Sequence, residues 1–227
     1  MSDNTEAQAG SEWLRRFTAI NVLIAIVVFF VTQPFIEPLR SGPLIESILF
    51  TLVLISGIMA VSDRWANVWI SLVLAVPTLA GHWIHHYRPD IMPPELFLIG
   101  GILFVIFVIV RLLRSVLNAS SVTTEVLCAS LAAYLLLGLL WTLAYWLVAE
   151  LIPNAFAFSG GDKTLQGSNG LYFSFITLAS VGYGDITPVA KVARMLAASE
   201  AITGLLYLAV LISRLVSLQE PRKTHEA

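Results

Sequence analysis

The chain contains a single cysteine, Cys128. It therefore has no intramolecular disulfide and no cysteine-based metal site, and cysteine usage says nothing about compartment. Charge is scarce as well. Asp, Glu, Lys and Arg make up 12% of the residues and hydrophobic types 57%, whereas a soluble domain is about a quarter charged. The net charge of −2 and the lack of a basic cluster argue against nucleic acid or any other polyanion as a partner. There is no internal repeat, no low-complexity tract and no stretch composed like a soluble domain. No small-x-small cleavage site follows the first apolar run, which comes after Asp3, Glu6, Glu12, Arg15 and Arg16. That run reads as a retained span and not as a removed signal peptide. What remains is a membrane protein with a mean hydropathy of +0.82.

A helix needs about 20 mostly apolar residues to cross the ~30 Å hydrocarbon core. Six segments meet that length, at about 14–35, 44–62, 66–87, 94–117, 123–151 and 189–218, which makes the fold class all-α. Pro34 and Pro38 stop the first and Asp63-Arg64 the second. Pro77 predicts a kink in the third, and Pro93-Pro94 supplies the start of the fourth. After the fifth comes a polar loop, 152–169, holding Pro153 and several glycines. The next stretch, L-Y-F-S-F-I-T-L-A-S, is too short to span and reads as a half-helix dipping into the membrane. Irregular backbone at that depth is tolerated only where protein or a water-filled path surrounds it.

The half-helix leads into 177–188, T-L-A-S-V-G-Y-G-D-I-T-P. Gly182 and Gly184 alternate with Val181 and Tyr183, and glycine reaches left-handed backbone angles that other residues avoid. In that geometry successive carbonyls can point to one side, and four such strands around an axis would stack rings of oxygens able to replace a cation's hydration. The stretch resembles the selectivity filter of tetrameric potassium channels, from Thr177 that opens the signature to Asp185 that closes it. Helix, half-helix, filter, helix is that family's pore module.

The resemblance implies a passive potassium channel, not an enzyme, with six transmembrane helices, a re-entrant pore helix and a selectivity filter. One chain would supply one filter strand, so the assembly would be a C4 homotetramer. Potassium would sit at Ser180, Val181, Gly182 and Tyr183, their carbonyls lining the path and the Ser180 hydroxyl forming the innermost ring. The family usually has threonine there; serine loses the methyl and loosens that ring. No cofactor is implied beyond K+ as the permeant ion. The expected organisation is a cytoplasmic N-terminus at 1–13, a four-helix peripheral module at 14–117, a pore domain at 118–218 and a cytoplasmic tail at 219–227.

Tyr172 and Phe173 fall where members place two aromatics that brace the filter. Tyr172 keeps a hydrogen-bond donor and Phe173 does not. Ile176 stands where some members have a glutamate behind the filter. Gly204, sixteen residues after Pro188, falls at the inner-helix hinge position, and close helix packing is the other use for a glycine there. If it is the hinge, Leu205, Leu208 and Ile212 share a face that would line the cavity. Glu200 is a carboxylate inside an apolar helix, hence a functional candidate. It lies off the Leu205 face and is expected behind the filter or against the fifth helix, bonded to a hydroxyl such as Ser174 and open to a proton-sensitive role.

With the N-terminus inside, eight lysines and arginines (Arg15, Arg16, Arg64, Arg111, Arg114, Arg214, Arg222, Lys223) face the cytoplasm, against five outside (Arg40, Arg88, Lys163, Lys191, Arg194). The expected location is the plasma membrane with both termini cytoplasmic. Asn118-Ala119-Ser120, a glycosylation pattern, then falls on the wrong side. The fourth span has Arg111 and Arg114 at its cytoplasmic end and no regular arginines before them, so little voltage dependence is expected. His82, His85 and His86 read as interfacial residues, although 82 and 86 are spaced to hold a metal or to sense pH. With about nine residues after the sixth span, gating is expected to come from the filter, membrane lipid, pH or an unidentified partner. The rival readings are a weakly selective cation channel, a non-conducting regulatory subunit, and an intramembrane hydrolase pairing Ser213 or Ser217 with a histidine. The histidines sit at the opposite membrane face from those serines.

Overall fold

A computed structural model describes residues 3–62, 65–160 and 163–219, and within these the side chains from 19 to 218. The Asp63-Arg64 stop signal, the side chains of Arg15 and Arg16, and the tail from 220 onward with Arg222 and Lys223 lie outside the described residues. The elements in order are α1 (Asp3–Ile36), α2 (Gly42–Ala60), α3 (Trp65–Tyr87), α4 (Pro94–Leu117), α5 (Thr124–Leu151), β1 (Phe156–Phe158), α6 (Ser168–Leu178), β2 (Ile186–Pro188) and α7 (Lys191–Gln219). Six of these helices are long and apolar enough to cross a membrane: α1 from Ala19 on, and α2, α3, α4, α5 and α7. Residues 3–13 continue α1 as helix.

The sequence explains most boundaries. Pro94 begins α4, with the extended Pro93 before it. Thr123 caps α5, its hydroxyl accepting from the Val126 amide at 3.3 Å. Pro77 sits inside the continuous α3. The short strands were not foreseen. Residues 156–158 lie in the stretch read as loop, yet Phe156, Ala157 and Phe158 pair antiparallel with Pro188, Thr187 and Ile186. This pairing spans α6 and the whole glycine-containing stretch after it, beyond the reach of any local pattern.

The centre of the molecule is α5, which packs against α4, α1, α6 and α7. Small side chains let α4 come close: Ala129, Ala132 and Ala133 of α5 and Val105, Val108 and Leu112 of α4 are all buried in one core. Val22, Ile26 and Phe29 of α1 join it. A second cluster gathers Tyr145 of α5, Phe156 of β1, Phe173 of α6, Ile186 of β2 and Ala193 of α7, which fixes the segment after α6 at both ends. By contrast α7 leaves most of its length bare: Leu205, Leu206, Val210, Ile212 and Val216 are all more than half exposed.

Candidate functional site

The last turn of α6 runs directly into the glycine-containing stretch. The amide of Ala179 donates to the Phe175 carbonyl at 3.0 Å, and that of Ser180 to Thr177 at 2.9 Å. The amides of Val181 and Gly182 both turn back to the Ile176 carbonyl, at 2.8 and 3.2 Å. The strand therefore starts hooked onto the helix. Its backbone then alternates: φ is +58° at Ser180, +54° at Gly182 and +82° at Gly184, with Val181 and Tyr183 between. The two glycines behave as their chemistry requires. Ser180 takes the same left-handed angle with a side chain attached, which costs about 1–2 kcal/mol. Val181 and Tyr183 are exposed, and a Cβ placed on Gly182 or Gly184 would meet nothing within 4 Å. One chain leaves this strand uncovered.

Its far end is tied down at Asp185. Tyr172 of α6 donates its hydroxyl to Asp185 Oδ2 at 2.8 Å, the Ile186 amide donates to Oδ1 at 3.1 Å, and the Ser159 amide donates to the Asp185 carbonyl at 2.8 Å. The bond to the carboxylate pushes the Tyr172 phenol above the ordinary tyrosine range, so it stays a donor. Of the two adjacent aromatics, only Tyr172 reaches this carboxylate. Phe173 is buried on the other side of α6, with its ring 4.8 Å from Tyr145 and 5.7 Å from Phe156. It anchors α6 in the core. Thr177 turns its hydroxyl back to the Phe173 carbonyl at 2.7 Å. Ile176 lines a crevice with Tyr172, Val181 and Tyr183, and Phe30 and Gln33 of α1 line it too.

Glu200 of α7 is wholly buried behind this segment. The Ser174 hydroxyl lies 2.6 Å from Glu200 Oε1 and 2.7 Å from the Gly138 carbonyl of α5. The Tyr145 hydroxyl of α5 donates to Glu200 Oε2. Ser174 is the partner that the sequence suggested; Tyr145, 55 residues away, is not visible as one. Its only signal is a hydroxyl in the middle of an apolar helix. Gly204 stands against the end of α6, where a Cβ would run into the Leu178 carbonyl, so in this structure the glycine permits a close approach. The helix continues unbroken through it. Leu205, Leu208 and Ile212 are exposed on α7.

The remaining candidates go separate ways. His82 Nε2 is 3.1 Å from Ser47 Oγ, His85 Nδ1 is 2.8 Å from the Met92 carbonyl, and His86 packs edge-on to Trp83 and Tyr87. Among the described residues no group of three His, Cys, Asp or Glu is arranged to hold a metal. Arg214 of α7 donates to the carbonyls of Leu117 and Ala119, at 2.8 and 2.7 Å, joining α7 to the α4–α5 link.

Residues 122–220 match a family model described as "Ion channel". This stretch covers α5, α6, the glycine strand and α7. The chain is 32% identical over 94 residues to Protein LctB of Bacillus caldotenax, covering 34% of this chain and 69% of that protein. The chain belongs to the potassium-channel pore family. It is also 41% identical over 58 residues to Protein LctB of Geobacillus stearothermophilus, covering 26% of this chain and 42% of that one. With Two-pore potassium channel 1 of Arabidopsis thaliana it shares 36% identity over 84 residues, which is 37% of this chain and 20% of the relative. The chain thus spans about a fifth of the length of the two-pore relatives it matches. No solved structure matches it. With six apolar helices, this family member is a multi-pass membrane protein.

Proposed function

We propose that four copies of this chain assemble around one axis into a passive potassium-selective channel. The observation that carries the reading is the alternation of positive φ at Ser180, Gly182 and Gly184 at the end of α6. In that backbone the carbonyls of Ser180, Val181, Gly182 and Tyr183 form one edge of the ion path, with the Ser180 hydroxyl as the innermost ring. Four edges replace the hydration of K+, and one cannot. α6 is the re-entrant pore helix. Its 11 residues reach about 16 Å, half the hydrocarbon core. The bare faces of Val181, Tyr183 and α7 are where neighbouring copies belong. Asp185 marks the outer mouth, which puts both termini in the cytoplasm of a plasma-membrane channel. α1–α4 form a peripheral module that senses little voltage, because Arg111 and Arg114 stand at one end of α4.

Reversal potential across a planar bilayer holding the purified protein, under opposed potassium and sodium gradients, tests this. A value near the potassium equilibrium potential is expected. A value near zero would mean that Ser180 has loosened the filter into a weakly selective cation path. No current from tetramers at any pH or voltage would favour a non-conducting regulatory subunit.

A further inference from the structure

Two oxygen–oxygen contacts meet at Glu200, Tyr145 with Oε2 and Ser174 with Oε1 at 2.6 Å, and a third joins Ser174 to the Gly138 carbonyl at 2.7 Å. Each needs a hydrogen between its oxygens. Tyr145 supplies one and Ser174 one, and a backbone carbonyl has none to give. The third must sit on Glu200. The surroundings agree with this count. Glu200 has no exposed surface, and a buried carboxylate without a cation is costly. Among the described residues, Tyr145 of α5 is the titratable group bonded to it, and Tyr134 of the same helix is near enough to feel its charge. α6 presents only the Ser174 hydroxyl, and on α7 the nearest cation along the chain, Arg194, is turned to the Pro188 carbonyl.

We propose that Glu200 carries a proton at neutral pH, donates it to Ser174, and acts as a positioning residue that holds α6, and through it the glycine strand, against α5 and α7. Neutral Glu200 passes its hydrogen to Ser174, Ser174 passes its own to Gly138, and Tyr145 closes the other oxygen. Losing the proton breaks this chain. Ser174 then has one hydrogen for two acceptors, and an anion stands uncompensated behind the strand that leaves α6. The consequence for ion flow rests on the proposed channel function; the protonation does not.

Two measurements separate these. Infrared difference spectroscopy of wild-type protein against Glu200→Gln, in lipid at neutral pH, should show a protonated-carboxyl stretch in the wild type that the variant lacks. Absence of that band overturns the proposal. Potassium flux into proteoliposomes should fall for the wild type as the pH is raised into the alkaline range. Glu200→Gln, whose amide donates to Ser174 and accepts from Tyr145 at every pH, should keep neutral-pH flux and lose the alkaline fall. A variant that follows the wild-type profile overturns the positioning role even if the band is present. A wild type that passes no potassium at any pH defeats the channel reading, and the infrared band still decides the proton.

Discussion

The strand after α6 depends on a few residues whose backbones or side chains do unusual things. Asp185 receives three tethers, and one of them, the Tyr172 hydroxyl at 2.8 Å, can be removed without changing volume. Tyr172→Phe should leave assembly intact and move the reversal potential toward zero, because the outer end of the strand loses its bond to α6. An unchanged reversal potential would mean that the Ile186 and Ser159 amides suffice. The glycines at 182 and 184 announce their conformation, since a left-handed φ is what glycine offers and other residues resist. Ser180 does the same without announcing it: nothing in its chemistry asks for φ +58°, and only the hooked amides of Val181 and Gly182 impose it.

At the scale of elements, the end of α6 is held by close approaches on two sides. Gly138 of α5 leaves room for the Phe175 ring, which a Cβ would meet at 2.5 Å, and Gly204 of α7 leaves room for the Leu178 carbonyl. The flexible neighbour on the α5 side can shift, whereas a carbonyl at the foot of the glycine strand cannot. Gly204→Ala should therefore destabilise the protein by about 1–3 kcal/mol, the usual consequence of overpacking. Its unfolding midpoint should drop and its potassium flux should be lost together. A variant with normal flux and stability would show that α7 can retreat without moving α6. The opposite end of α6 is held as well: Glu37, just past α1, accepts from Ser168 in the first turn of α6.

For the whole molecule, the proposed channel places neighbouring copies against the exposed faces of α7 and of the glycine strand. Protein extracted in mild detergent and cross-linked should run as four chains of 24.8 kDa, and a dimer limit would exclude a fourfold ion path. Charge distribution bears on voltage. Moving one charge through the field yields only ~2.3 kcal/mol per 100 mV. The described part of α4 carries Arg111 and Arg114 near its end, with nothing cationic from Pro94 to Val110. Conductance should stay nearly flat between strongly negative and positive voltages, and a steep sigmoid would place a voltage sensor in α1–α4.

The sequence alone determined the six apolar spans, the short segment between the last two, and the two glycines of the strand. Each depends on a run of hydrophobicity or on a residue's own backbone freedom, and such properties are local. Tertiary structure decided what no local pattern carries. Tyr145 meets Glu200 because α5 and α7 converge on Ser174. Phe173 turns inward while its neighbour Tyr172 turns to Asp185. Residues 156–158 become a strand because 186–188 return beside them, and Gly204 lies against the end of α6 in an unbroken helix. These are contacts between segments distant in the chain, and packing selects them only once the helices have met.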